Sequence, residues 1–146
     1  MIIEPVNKSN IAQAAYVHRE SWKESHSFLP ADVVAKRTVE RQTAYLYSEI
    51  NSGKKVFLLT DKEPVGVVAV NGNMIDNLYV LPAMQRKGYG SALLDFAIRQ
   101  CEGTPVLTVL NNNSVIEMYR KRGFKETGNI IPLGSRLWEI EMKLEK

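Results

Sequence analysis

The chain has 146 residues, of which 45 % are hydrophobic and 24 % charged, a composition that buries an ordinary core and excludes collagen-like, low-complexity and disulfide-stapled chains. Nineteen basic against sixteen acidic residues leave a net charge of +3; the basic residues are dispersed rather than gathered in an aromatic-interleaved stripe, which speaks against nucleic-acid binding and suits a polyanionic small molecule. The N-terminal MIIEPVNKSN lacks the features of a signal peptide, no stretch approaches a membrane span, and Cys101 has no partner for an internal disulfide, so the expectation is one cytosolic domain over residues 1–146 with no membrane partner.

Met1 to Val6 reads as a short strand ended by Pro5 and the capping cluster Asn7 to Asn10. In the helix that follows, Ile11, Ala14, Ala15, His18 and Trp22 share one face, which makes His18 a structural rather than a catalytic histidine. Ser21 to Pro30 reads as a polar and aromatic link whose Trp22, His26 and Phe28 are candidates to line an acceptor pocket. Asp32 to Ile50 is a helical region with a break near Arg37 and Thr38, stopped by Asn51-Ser52-Gly53.

Val56 to Thr60 and Val65 to Val70 are β-branched runs joined by Asp61-Lys62-Glu63-Pro64, and Asn71-Gly72-Asn73 turns into a third strand from Met74 to Val80, closed by Pro82. These predict an antiparallel meander. A glycine corner, Gln85-Arg86-Lys87-Gly88-Tyr89-Gly90, then opens a helix on which Leu93, Phe96, Ala97 and Gln100 fall at helical spacing. Further on come a strand at Val106 to Leu110, a short helix from near Val115 with Ser114 and Glu117 as a capping box, and closing strands at Phe124 to Thr127 and Leu137 to Leu144 around a loop containing Pro132 and Gly134. Cys101, near the end of its helix, reads as a small hydrophobe rather than a nucleophile.

The corner carries the chemistry. Two glycines let the backbone turn tightly and approach a ligand, the first amides of the helix lack intrahelical partners and carry its positive dipole end, and Arg86 and Lys87 add charge. That combination seats an anion, although a ligand-free turn has the same Gly-x-Gly pattern.

Gln85-x-x-Gly88-x-Gly90 behind Leu78-Tyr79-Val80-x-Pro82 resembles the acyl-CoA motif of the GCN5-related N-acetyltransferases, the GNAT superfamily. Asn112-x-x-Val115-x-x-Met118-Tyr119-x-x-x-Gly123-Phe124 resembles the second motif of the same family, with Val115 where alanine is more usual. The resemblance spans Val56 to Phe124. It implies a mixed α/β fold with a mostly antiparallel, centrally splayed sheet of about seven strands and about four helices. It also implies transfer of an acetyl group from acetyl-CoA to a primary amine, on a small molecule or a peptide. By the same resemblance, Gln85, Arg86, Lys87, Gly88, Tyr89, Gly90 and Ser91 hold the CoA pyrophosphate, Leu78, Tyr79 and Val80 bond the pantetheine arm, and Asn112 and Tyr119 complete the cofactor site. A monomer or homodimer is compatible with it.

An amine attacking a thioester expels a thiolate that must be stabilised or protonated, and Tyr119 is the candidate general acid, a tyrosine that only packs being the alternative. The base is Asp76, unless that aspartate is merely solvated, with Glu24 and His26 behind it. Neither histidine belongs to a cluster with metal-ligand spacing, so no metal is expected. The second functional class is a non-catalytic acyl-CoA-binding domain of the same fold.

Overall fold

Residues that are apolar on both sides of a strand must be covered on both faces, and Val56, Phe57, Leu58 and Leu59 are all buried. The computed structural model, which describes residues 1–134 and 136–144, meets this need with a seven-stranded sheet between helical layers. The strands are β1 (Ile2–Pro5), β2 (Lys55–Asp61), β3 (Glu63–Asn71), β4 (Met74–Val80), β5 (Val106–Leu110), β6 (Phe124–Gly134) and β7 (Leu137–Leu144), in the spatial order β1-β2-β3-β4-β5-β7-β6. The helices are α1 (Ile11–Ser25), α2 (Ala31–Ala35), α3 (Val39–Asn51), α4 (Tyr89–Gln100) and α5 (Ile116–Lys121), with a 3-10 turn at Pro82–Met84.

Val56, Leu58, Val67 and Ala69 point to one face of the sheet, where Ile11, Ala14 and Ala15 of α1 and Leu46 of α3 cover them. Phe57, Leu59, Val68 and Val70 point to the other face, against Leu93, Leu94 and Ala97 of α4, and this core continues to Ile116 and Tyr119 of α5. Period-two alternation thus divides one sheet between two hydrophobic layers.

The meander β2-β3-β4 forms as expected, antiparallel throughout. The next pairing, β4 with β5, is parallel and registers only Met74 with Val106 and Ile75 with Leu107. Beyond these two pairs the strands diverge, so the C-terminal half of β4 presents an unpaired edge to a V-shaped gap.

The break expected near Arg37 and Thr38 is made and gives five α-helices among the described residues; the Thr38 side chain caps α3 by accepting from Arg41 N–H at 3.2 Å. The structure corrects the expected layout at four other places. Helix α1 runs on through Ser21 and Trp22 to Ser25, so those residues are helical rather than part of a link. Strand β6 continues to Gly134, passing Pro132 where a loop was expected; at the edge of the sheet a missing amide costs no ladder bond. The Ser114–Glu117 capping box is not made, since Asn113 Oδ1 accepts from Val115 N–H at 3.0 Å and Glu117 pairs with Arg120.

The fourth correction concerns Asp76. Alternation would place it on the face of Leu78 and Val80, but a bulge intervenes: Tyr79 pairs with Val67 and Asp76 with Ala69, and Asn77 takes φ +51. Two residues stand opposite one, the strand shifts by a position, and Asp76 shares a face with Tyr79 instead.

Candidate active site

After β4 the chain makes its 3-10 turn, passes through left-handed conformations at Arg86 (φ +64) and Gly88 (φ +91), and enters α4. Only glycine adopts the second without strain, and a Cβ there would meet nothing within 4 Å, so the bend is open. The first intrahelical bond is from Ala92 N–H to Gly88 O, 3.1 Å, which leaves the amides of Tyr89, Gly90 and Ser91 ahead of it as donors. Gly88, Gly90, Ser91 and Arg86 line a groove of about 440 Å³ whose strand side is Leu78, Tyr79 and Val80. Its far wall is Asn113, Ser114, Val115 and Met118.

Several of the expected residues take other places. Lys87 is exposed outside the groove, and Tyr89 turns away from it, donating its hydroxyl to Asp61 Oδ2 at 2.5 Å. Gln85 borders the groove but spends its amide on structure, donating to Val80 O and to Glu24 Oε1, both at 3.1 Å, and so ties the end of β4 to α1. In the run of three asparagines, Asn113 lines the groove and Asn112 is exposed. Ser21 and Glu24, on the last two turns of α1, close the near end.

The groove leads into the gap between β4 and β5. Leu78, Tyr79 and Asn113 border both the groove and a cleft of about 170 Å³ that also holds Asp76, Tyr119 and His26. Tyr119 projects from α5 into this cleft and is 5 % exposed. Burial, helped by the neighbouring Tyr79, pushes its phenol well above the usual tyrosine range. Tyr79 itself is pushed up to about 12, by burial and by the negative charge of Asp76.

Asp76 reaches the cleft but not as a lone carboxylate, since Lys54 Nζ lies 2.8 Å from its Oδ2 and 3.2 Å from Glu49. His26 stacks on Trp22 at 4.3 Å between ring centroids, with its Nδ1 3.0 Å from Trp22 O. A carbonyl only accepts, so Nδ1 carries the proton and Nε2 is the acceptor nitrogen. Burial and the charge of Arg37 lower the His26 pKa against the effect of that carbonyl, so the ring is neutral at pH 7. Trp22 is buried and faces a separate cavity, while Phe28 is half exposed, 5.9 Å from the His26 ring. His18 is 3 % exposed and receives a 2.6 Å bond from Gln42 Nε2 at Nδ1, the satisfied structural histidine expected.

A glycine bend at a helix start beside a sheet splayed at its centre is the arrangement the two motifs implied, and residues 12–145 match the acetyltransferase (GNAT) domain family. The chain belongs to the GNAT family. Over 71 residues it is 32 % identical to the peptidyl-lysine N-acetyltransferase YjaB of Salmonella typhimurium, a match covering 48 % of this chain and 49 % of that protein. It therefore spans about half the length of the curated relative it matches. Among solved structures, smu.2055 of Streptococcus mutans superposes with a TM-score of 0.75 at 19 % identity, covering 99 % of this chain and 100 % of that one. The structure of yncA from Salmonella typhimurium with its cofactor acetyl-CoA gives 0.72 at 19 % identity, over 100 % and 95 %. At such identities the likeness is one of fold, and this GNAT chain has the seven-stranded sheet expected of it. Among the described residues no group of His, Cys, Asp and Glu is gathered to hold a metal ion, and no helix is long and apolar enough to cross a membrane.

Proposed function

We propose that the protein transfers an acetyl group from acetyl-CoA to a primary amine by direct attack within a ternary complex. The observation that carries this reading is the continuity of the open bend at Gly88 with the cleft that holds Tyr119. The residues present fit an acyl-CoA: a cradle without a Cβ at its centre, three unpaired helix-start amides with Arg86 beside them for a diphosphate, and a strand edge that β5 leaves unpaired beyond Ile75 for an amide-bearing arm. When bound, acetyl-CoA supplies an activated thioester.

The chain's own groups then position and move protons. The edge of β4 at Leu78 to Val80 orients the acyl end, and the divergence of β5 leaves room for an amine to approach from the side of His26 and Asp76. A thiol has a pKa of about 8.5 and an unperturbed phenol about 10. With its own value raised further, Tyr119 acts by donating a hydrogen bond to the departing sulfur, and a proton passed from the attacking nitrogen completes its neutralisation. On the acceptor side, His26 is a neutral ring with an acceptor nitrogen and Asp76 a carboxylate held by Lys54; His26 is the better base and Asp76 the group that attracts the ammonium form.

A cytosolic setting and a monomer or homodimer that binds neither nucleic acid nor membrane belong to the same proposal, as does the single domain over residues 1–146. The test is thiol release from acetyl-CoA over an amine panel, run beside the thermal shift that acetyl-CoA produces. A shift with no thiol release for any amine favours the non-catalytic acyl-CoA-binding alternative, and no shift removes the groove from the argument.

A further inference from the structure

Three cations meet at one cavity on the acceptor side of the molecule without an acidic counter-ion. The space, about 360 Å³ between α1, α2 and α3, is lined by Lys36, Arg37 and Arg41 with Trp22, Tyr45 and Gln42, and no carboxylate lines it among the described residues. Among the described residues none of the three cations forms an ion pair, whereas the nearby Arg19 and Lys23 both pair with Glu20. Like charges so placed repel one another, and an arrangement of this kind is stabilised by an anion between them.

The central cation is held in place. The Arg37 guanidinium lies 4.2 Å from the centroid of the Trp22 ring, and its NH1 donates to Gln42 Oε1 at 3.4 Å. Gln42 is 1 % exposed and fixed from the other side by its bond to His18, and Arg19 Nε holds the Arg37 carbonyl oxygen at 2.9 Å. Arg41 NH1 donates to Lys36 O at 3.2 Å, which links the C-cap of α2 to the first turn of α3. A guanidinium with its plane already set loses little freedom when it takes up a planar oxyanion.

The cavity adjoins the reaction cleft. Trp22 lines the cavity, His26 lines the cleft, and the two rings stack. An acceptor whose anionic end lies on Arg37 and Arg41, and whose chain is long enough to pass this stack, would present its amine on the side of Tyr119. We infer that the amine substrate carries a carboxylate several bonds from the accepting nitrogen, bound in the cavity of Lys36, Arg37 and Arg41. This deepens the transferase reading and rests on it.

Two measurements on wild type, Arg37→Gln and Arg41→Gln test the inference. Arg41 is exposed, and the bond its side chain gives to Lys36 O joins two surface turns, which guards against a folding defect in Arg37→Gln. The first measurement is thermal unfolding with glutarate against sodium chloride of equal ionic strength. Glutarate should raise the wild-type melting temperature by several degrees and leave both variants close to their chloride values. The second is thiol release with ω-amino acids of increasing chain length, each paired with its primary amide. The carboxylates should exceed their amides about tenfold in kcat/KM, with one length best, and the ratio should fall to about one in both variants. Glutarate no more effective than chloride, or equal turnover of each acid and its amide, overturns the inference. Glutarate protection lost in the variants while every amine is refused keeps the oxyanion site and counts against the transferase reading instead.

Discussion

Gly66 of β3 lies directly against Leu93 of α4: a Cβ on the glycine would stand 2.7 Å from Leu93 Cδ1 and 2.9 Å from the carbonyl oxygen of Tyr79. The helix that begins at the bend is thus seated on the meander at a point where only glycine fits. Gly66→Ala is expected to cost about 1–3 kcal/mol by overpacking, since the backbone oxygen cannot move aside, with a fall in melting temperature of about 2–4 °C per kcal/mol. Gly90→Ala is the control. Its Cβ would meet Met118 Sδ at 3.4 Å, an ordinary contact, and its stability should be unchanged or slightly raised.

At Gly88 the question is binding rather than packing. Its φ of +91 and the empty space around it mean that alanine there suffers only backbone strain of about 1–2 kcal/mol. Glutamate adds a negative charge in the cradle proposed for a diphosphate. Gly88→Glu should lose the melting-temperature rise given by acetyl-CoA while Gly88→Ala keeps most of it. Equal shifts in Gly88→Glu and wild type would take the bend out of the site.

These two glycines differ in how visible they are from sequence. Gly88 stands in a motif and before a helical period, so the bend was legible; Gly66 sits in an apolar run whose neighbours across the sheet are not local. The same reason hides the bulge at Asn77, where the one local hint is that asparagine tolerates positive φ. Asn112 and Asn113 have identical side chains in sequence, and only the helix start at Ile116 decides which one faces the groove. The continuation of β6 depends on pairing with β7, and the cavity of Arg37 and Arg41 depends on how α2 and α3 meet α1. Period and turn chemistry read elements along the chain; groups brought together from different elements stay out of their reach.

Tyr119→Phe keeps the ring that packs with Phe124 at 6.0 Å and removes only the hydroxyl. Turnover should fall about 10–100-fold, the worth of one donor to a developing anion, with acetyl-CoA affinity within about threefold of wild type. Because burial raises the phenol pKa, the hydroxyl stays protonated up to at least pH 10, and the wild-type rate should show no alkaline fall from this group below that pH. Full activity of the phenylalanine variant across pH would leave Tyr119 a packing residue.

The proton acceptor separates by pH profile. If His26 takes the amine's proton, the acid limb of kcat lies below pH 6.5, because burial and Arg37 depress the ring's pKa, and His26→Gln removes that limb along with most of the rate. Asp76→Asn, acting through attraction of the ammonium and through Lys54, should raise KM more than it lowers kcat. The reverse pattern, a lost limb in Asp76→Asn and an intact one in His26→Gln, would exchange the two roles.

His18 makes a prediction about stability alone. Burial, with the charge of Arg37 second, lowers its pKa from 6.5 to about 4, and its Nδ1 must stay unprotonated to accept from Gln42. The unfolded chain binds this proton near pH 6.5 and the native chain only near pH 4, so across that window the unfolded state holds more protons and stability falls as pH falls. At pH 4.5 the loss from this one group is about 2–3 kcal/mol. Urea unfolding of wild type and His18→Gln at pH 7 and pH 4.5 isolates it: the variant should be less stable at pH 7, and its deficit should shrink by about that amount at pH 4.5. A deficit independent of pH would mean that His18 is protonated in the native state or titrates alike in both states, against the buried neutral ring bonded to Gln42.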